Sequence, residues 1–320
     1  MSKTYDLIII GSGPAGLAAS IYAFRYKLEH LIFGATDGGQ MSEIHKIENW
    51  PGDISISGRE LINNFISHVE NYGMRIIHES VVLIKKVENS SEAKPPAGGL
   101  ASDSLFEVET SRGKYVTKAI ILAMGAEYRR MNIPGEKEYI GHGVSYCATC
   151  DAPFFKDKTV AVVGGGNSAA VVALELADYA KKIYLVHKEE KLLAEPVWLD
   201  KIASDEKIEV IKGISIIEIK GNDKIEKIIL DKAYDDKTYF DVDGVFIEVG
   251  TEPGVALARK IGVETDEQNY IKVNPDMSTN ISGIYAAGDI TTGSNKFRQV
   301  LTAAAEGAVA AASVYKNLKI

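Results

Sequence analysis

One unit of sequence is written twice in this chain: an unbroken apolar run, a glycine-rich turn and a helical stretch rich in alanine. The first copy is Asp6-Leu7-Ile8-Ile9-Ile10, then Gly11-Ser12-Gly13-Pro14-Ala15-Gly16, then a helix over 17–23. The second is Thr159-Val160-Ala161-Val162-Val163, then Gly164-Gly165-Gly166-Asn167-Ser168-Ala169, then a helix over 170–179. A strand that is apolar on both faces has no wet side, as in a parallel sheet covered above and below. Each copy supplies a second strand where a βαβ unit needs one, His30-Leu31-Ile32-Phe33 and Ile183-Tyr184-Leu185-Val186. The leading glycines, Gly11 and Gly164, stand 153 positions apart, which excludes a short solenoid repeat. The pattern predicts an α/β protein with two Rossmann-like, three-layer nucleotide-binding domains, and 320 residues suit two domains.

A third strand signal comes late. Gly283-Ile284-Tyr285-Ala286-Ala287-Gly288-Asp289 is apolar and ends in glycine and aspartate, and a long helix starts near Gln299. If this segment returns to the first sheet, the second domain is inserted in the first. The division is then 1–126 with 251–320 around 127–250, with crossings near Gly125-Ala126 and Gly250-Thr251. The stretch 300–315, apolar but interrupted by Glu306, reads as a buried helix. A helix is expected over 57–72, and strands over 106–110 and 115–118 around Ser111-Arg112-Gly113. The polar segment 89–104 reads as an exposed flexible loop between strands.

A glycine turn between strand and helix lets backbone approach a pyrophosphate, and the amides at the helix start favour the anion. In the first loop Gly11 makes the turn, Gly13 gives close approach and Gly16 lets helix pack on strand, while Pro14 suits a first helical turn. An acidic residue after the second strand often takes ribose hydroxyls. That place is held by Gly34 in the first unit and by His187 in the second, followed by Lys188-Glu189-Glu190-Lys191.

The chain has two cysteines, Cys147 and Cys150, in one Cys-Ala-Thr-Cys unit. A secreted disulfide scaffold is excluded, since no further cysteine exists to pair. One C-x-x-C supplies two zinc ligands where a structural site needs four. Buried structural thiols and a thioredoxin-type motif remain open, although the pair precedes the strand of a nucleotide unit. The favoured reading is a redox-active disulfide coupled to a bound flavin, because a small ring of this spacing suits exchange better than stability. Asp151 is then a candidate proton donor to the leaving thiolate, against the plain alternative of a helix cap. With 36 basic and 44 acidic residues and no basic run, the chain is a poor general nucleic-acid binder. The apolar run after Asp6 is too short for a signal segment or a membrane span, so the expectation is a cytoplasmic protein without membrane attachment.

Taken together, these residues resemble the low-molecular-weight thioredoxin reductases, flavoprotein disulfide reductases. The resemblance rests on the first glycine loop, Gly38-Gly39-Gln40, Glu48-Asn49-Trp50-Pro51-Gly52 and Ala123-Met124-Gly125-Ala126. It continues through Cys147-Ala148-Thr149-Cys150-Asp151, the second glycine loop, Ala287-Gly288-Asp289 and Arg298-Gln299, and covers nearly the whole chain outside 89–104. It implies an FAD-binding and a pyridine-nucleotide-binding domain in a homodimer. Gly11, Ser12, Gly13, Pro14, Ala15 and Gly16 would cradle the FAD pyrophosphate. Gly39, Gln40, Asn49, Ala123 and Gly125 would lie along FAD, Gly288 and Asp289 would meet its ribityl chain, and Arg298 and Gln299 would contact it at a helix start. Gly164, Gly165, Gly166, Asn167, Ser168, His187, Lys188 and Glu189 would line the nicotinamide-nucleotide site. Cys150 would face the flavin, Cys147 would attack the protein disulfide and Asp151 would be the acid–base residue. Electrons would pass from NADH or NADPH through FAD to the Cys147–Cys150 disulfide and on to thioredoxin or a thioredoxin-like protein. Nicotinamide and disulfide would use the flavin in turn, so a rotation about the two crossings is expected.

The chain departs from the pattern at one place. Relatives that use NADPH carry His-Arg-Arg after the second strand of the second unit, with another Arg four residues on, and arginine suits a 2′-phosphate. Here Lys188, Glu189 and Leu193 stand at the three arginine positions. Glu189 would repel a phosphate and could accept from ribose hydroxyls, so weak discrimination for NADPH is expected, with NADH favoured or neither nucleotide used well; the alternative is that Lys188 and Lys191 suffice for NADPH. A ferredoxin-like donor, a dithiol oxidase working with oxygen, and a non-catalytic flavin sensor are the alternatives. Met124 stands where relatives commonly have threonine; it is read as a core neighbour of the flavin, Trp198 as a packed aromatic and His142 as an exposed loop residue.

Overall fold

A computed structural model of the chain describes residues 3–88 and 104–318. The loop expected over 89–104 therefore lies outside the described residues except for its last position. The chain divides into two compact units, one running to Glu127 and resuming at Pro253, the other spanning Tyr128–Glu252.

The first unit is built on strand β1 (Thr4–Ile10), helix α1 (Pro14–Arg25) and strand β2 (His30–Phe33). β1 and β2 run parallel, Leu7 opposite His30 and Ile10 opposite Phe33. Helix α2 (Gly58–Asn71) starts at Ser57, whose hydroxyl accepts from Glu60 N at 3.1 Å, the N-cap bond that quiets a free helical amide. Strands β3 (Ile76–Ile77), β4 (Val81–Glu88), β5 (Ser104–Thr110) and β6 (Lys114–Leu122) complete the first half, and β7 (Ala126–Tyr128) leads out of it. The late segment joins this sheet. Its strand pairs parallel with β6, Ala286 opposite Leu122, giving seven strands in the order β3-β2-β1-β6-β5-β4 with the returning strand beside β6.

The unbroken apolar run of β1 is explained by two cores. Leu7 and Ile9 join one with residues of α1 and α2, while Ile8 and Ile10 join another with Phe106, Val255 and Ile271. Burying each such side chain contributes about 1.5–3 kcal/mol, and a polar residue at any of the four would lack a wet face to occupy.

The second unit contains β8 (Val144–Ser145), α3 (Ala148–Asp151), β9 (Thr159–Val163), α4 (Asn167–Ala177), β10 (Lys182–His187), α5 (Pro196–Ala203) and β11 (Ile208–Lys212). The hairpin strands β12 (Ile216–Gly221), β13 (Ile225–Tyr234) and β14 (Lys237–Asp241) follow, then β15 (Gly244–Ile247). β11-β10-β9-β15-β8 form a parallel sheet, and β12-β13-β14 an antiparallel one. Val160 and Val162 pack under α4, while Ala161 and Val163 face Ile216, Ile219 and Ile228. The layer opposite α4 is thus a small sheet, which the sequence pattern does not place. Trp198 packs against the helical core, Met124 against the second core of the first unit, and His142 is exposed.

Strand β16 (Thr251–Pro253) pairs with β7 at the crossings, and α6 (Ala256–Lys260), β17 (Ile284–Ala286) and α7 (Val300–Leu318) finish the chain. α7 lies close on α1: a Cβ at Gly307 would overlap the Ala15 carbonyl. The expectation of a buried C-terminal helix needs one correction, since Leu301 (45%) and Val309 (40%) face solvent while Ala303, Ala310 and Val314 are buried. Among the described residues no helix is long and apolar enough to cross a membrane.

Candidate active site

The first glycine loop joins the end of β1 to α1. A Cβ on Gly11, whose φ is +117°, would overlap the Ala123 carbonyl, and one on Gly16 would overlap the Gly11 carbonyl. These two glycines are required by the fold itself. Gly13 differs: its nearest neighbour would be the Gly38 carbonyl at 3.8 Å. Its φ of −77° also suits any residue, so open space is held beside it at the start of α1. Buried Ser12 donates to the Thr36 carbonyl at 2.7 Å, and Gly38 N donates to the Ser12 carbonyl at 3.2 Å. Pro14 opens the helix and Ala15 is buried under α7.

Other expected residues gather on the same unit. Gly39 and Gln40 begin a short 3-10 helix, Gly39–Glu43. Asn49 Nδ2 donates to Gln299 Oε1 at 2.9 Å, joining positions 250 apart. Ala123 follows β6, and Gly125, with φ +66°, accepts from Gly254 N at 3.2 Å. Gly288 lies against Ala15, where an added Cβ would stand 3.0 Å from the alanine Cβ. Asp289 is pushed up to about 6, chiefly by burial and further by the nearby Glu306 carboxylate, with Arg298 pulling the other way. Gln40 Nε2 and Arg298 Nε are buried without a hydrogen-bond partner among the described residues. Native proteins rarely leave such donors unmet. Two orphan donors, a desolvated carboxylate and an open glycine turn fit the pyrophosphate and polyhydroxyl chain of a dinucleotide such as FAD.

Glu306, which the sequence shows only as a break in an apolar helix, has a definite role. Its buried carboxylate accepts from Gly288 N at 2.8 Å and from Thr291 Oγ1 at 2.9 Å, fixing the loop that carries Asp289. The one signal that could have found it is a single acid inside an alanine-rich helix.

The second glycine loop repeats the division of labour in the second unit. A Cβ on Gly164 would overlap the Glu248 carbonyl, and one on Gly165 would meet the His187 ring at 2.5 Å. Gly166 has nothing within 4 Å of an added Cβ. Asn167 Oδ1 accepts from Glu195 N at 2.7 Å, Ser168 is exposed on the first turn of α4, and Leu193 N donates to the Gly165 carbonyl at 2.6 Å. His187 is buried, and its Nε2 has no partner among the described residues. Lys188 and Glu189 point outward, their charges 3.8 Å apart and their side chains 72% and 62% exposed.

Cys147 and Cys150 are joined as a disulfide with Cα atoms 5.4 Å apart. Cys147 is the N-cap of the short helix α3, and its Sγ accepts from Cys150 N at 3.2 Å. Ser145 Oγ accepts from Cys147 N at 3.0 Å and donates to its carbonyl at 3.2 Å, so backbone bonds grip the first cysteine on both sides. Cys147 is half-buried and Cys150 exposed; Asp151 ends α3, its N–H donating to the Cys147 carbonyl at 3.2 Å. Among the described residues no cluster of His, Cys, Asp or Glu could hold a metal ion.

Two dinucleotide-type units with a short-range redox disulfide on one of them define a nucleotide-dependent disulfide oxidoreductase. The chain belongs to the pyridine nucleotide-disulphide oxidoreductase family, whose profile matches residues 5–307. It is 38% identical over 315 residues to a thioredoxin reductase of Bacillus subtilis, covering 98% of this chain and 94% of that one. Among solved structures it matches Lactococcus lactis thioredoxin reductase in its FR conformation with TM-score 0.89 and 35% identity, over 99% of this chain and 100% of the other. It also matches a ferredoxin–flavin thioredoxin reductase of Clostridium acetobutylicum, with TM-score 0.51 and 34% identity, over 100% and 99% of the two chains.

Proposed function

We propose that this protein is a thioredoxin-disulfide reductase, and the observation that carries the reading is the Cys147–Cys150 disulfide on a unit that also bears the second glycine loop. FAD would be held by the first loop with Gln40, Asn49, Asp289, Arg298 and Gln299, and would supply two-electron redox chemistry between a pyridine nucleotide and the disulfide. In the dithiol form the Cys147 thiolate attacks one sulfur of the partner disulfide and a partner thiolate leaves. Cys150 then attacks Cys147 of the mixed disulfide, releasing the second partner thiolate and restoring the Cys147–Cys150 bond. Asp151, next to Cys150 in sequence, moves the proton that exchange requires. The working form is a homodimer in the cytoplasm; sedimentation of the flavin-loaded protein tests the dimer.

NADH is the favoured nucleotide. A 2′-phosphate dianion would find Lys188 already beside Glu189, and that carboxylate would repel it. Ribose hydroxyls could donate to Glu189 instead. The likeness to the Clostridium acetobutylicum protein favours ferredoxin as the second reading of the donor. An anaerobic titration of the yellow protein separates the two, followed by turnover with thioredoxin. NADH is expected to bleach the flavin with at least about tenfold higher efficiency than NADPH, a discrimination of about 1.4 kcal/mol. A tenfold preference for NADPH would sink the assignment to Glu189. Bleaching by dithionite alone would point to ferredoxin or to the oxidase direction.

A further inference from the structure

The segment that delivers Arg298 carries the sharpest backbone outlier of the first unit. Ser294, Asn295 and Lys296 have φ of 46°, 53° and 59°, three successive non-glycine residues in the left-handed region. L-residues avoid that region, and a run of them persists only where surrounding contacts over-determine it. The contacts here are specific. Lys296 Nζ lies 2.6 Å from Asp266 Oδ2 and donates to Gln268 Oε1 at 2.8 Å. The other Asp266 oxygen accepts from Gln268 N and Tyr270 N, both at 2.9 Å, so one carboxylate latches the strained segment and shapes the turn that presents Tyr270. Tyr270 is buried, and its ring lies 3.9 Å from the Arg298 guanidinium carbon and 5.3 Å from Lys296 Nζ. At the far end Thr302 Oγ1 donates to the Phe297 carbonyl at 2.6 Å, pinning the chain where α7 begins.

We propose that Tyr270 and the Lys296–Asp266 pair are positioning residues for the cofactor, holding the 294–296 strap so that Arg298 is presented to the dinucleotide before it binds. The proposal rests on the reading of the first loop as an FAD site. A ring face is a directional seat for a planar guanidinium, and Arg298 Nε, buried and unpartnered among the described residues, is left for a ligand oxygen. Arginine has several rotatable bonds, so an unseated side chain would have to be ordered by FAD itself, at the expense of affinity.

The test measures FAD affinity and release on the full chain, by flavin fluorescence, with the melting temperature of the apoprotein as a control on folding. Tyr270→Phe keeps the ring and is expected to bind FAD within about twofold of wild type, while Tyr270→Leu and Lys296→Met bind about tenfold more weakly, as loss of a desolvated cation–π seat implies. The visible circular dichroism of the bound flavin is expected to change in the same two variants only. Wild-type affinity in Tyr270→Leu or Lys296→Met overturns the proposal, as does equal weakening in Tyr270→Phe, which would move the effect to the hydroxyl. If Tyr270→Leu fails to fold, Lys296→Met, at the more exposed end of the latch, still decides. A wild-type chain that takes up no FAD would overturn the FAD reading and this proposal together, whereas failure of the proposal alone leaves an FAD-binding wild type with unaffected variants.

Discussion

Glycines within one loop do different work, and alanine substitution separates them. Gly16 has no room for a Cβ, so Gly16→Ala forces helix α1 off β1 and is expected to cost roughly 1–3 kcal/mol or more, as overpacking does. Gly13 has room and an ordinary φ of −77°. Gly13→Ala should keep the apoprotein's melting temperature within about 2 °C, the range of a neutral substitution in a chain this long. It should nevertheless weaken FAD binding at least about tenfold, because the methyl fills the space a pyrophosphate needs. Titration of both apoproteins with FAD checks this, and wild-type affinity in Gly13→Ala would place the pyrophosphate elsewhere. Asp289 gives a second prediction, with a sign. Its folded pKa of about 6 lies above the ordinary value of 3.8. The unfolded chain therefore gives up this proton first as pH rises. The apoprotein loses stability between about pH 4 and 6, by an amount on the order of 3 kcal/mol. Asp289→Asn should stabilise the apoprotein at pH 8, leave it unchanged near pH 3.5, and weaken FAD binding. Urea unfolding at the two pH values reads the first part. A variant less stable than wild type at pH 8 would refute the account.

The stretch between the first crossing and the cysteines is organised by one buried carboxylate. Glu136 accepts from Met131 N at 2.9 Å, Asn132 N at 2.5 Å and Ile133 N at 3.4 Å, closing a turn in which Asn132 has φ +57°. Its Oε1 also accepts from Tyr146 Oη at 2.6 Å. Burial, then the bond to Glu136, hold the Tyr146 hydroxyl well above its ordinary pKa, so it stays a donor at any working pH. Tyr146 is the residue before Cys147. Tyr146→Phe removes a charge-assisted bond and should cost about 1.5–3 kcal/mol, and Glu136→Ala, which strands three amides, should cost more. Chemical unfolding of the two variants checks the order, and a neutral Tyr146→Phe would show that water replaces the hydroxyl. These links show what was legible in the sequence. The strands and helices that flank both glycine turns were, and so were the turns themselves, because periodicity and turn chemistry are local. The pairings of Glu136 with Tyr146, Tyr270 with Arg298 and Glu306 with Gly288 were not, since they join positions 10 to 28 apart through folded loops. The β12-β13-β14 layer was missed for a related reason: its strands are half exposed, and their pattern is broken by register shifts.

The chain passes between its two units twice, and both passages share one construction. β7 and β16 pair, with Gly254 N donating to the Gly125 carbonyl at 3.2 Å and Arg129 N to the Gly250 carbonyl at 2.9 Å. Gly125 and Gly250 have φ of +66° and +98°, and a Cβ on either would meet nothing within 4 Å among the described residues. Neither glycine is there to save space; each is there for its backbone. In the proposed reductase, nucleotide and disulfide would use the flavin in turn, which calls for hinges, and a hinge needs residues that can change φ and ψ. Gly250 is the cleaner one to test, since Gly125 is also expected to lie along FAD. Gly250→Ala restricts the backbone in a region costing an L-residue about 1–2 kcal/mol, so it should lower stability modestly and bias the crossing toward one conformation. FAD affinity should stay within about twofold of wild type, because the first loop is untouched, while steady-state turnover with thioredoxin should fall roughly threefold to tenfold, as hinge substitutions change kcat and KM together. Full turnover in a variant with a lowered melting temperature would mean that these glycines serve the fold alone, and that any rotation has its pivot elsewhere in the crossings.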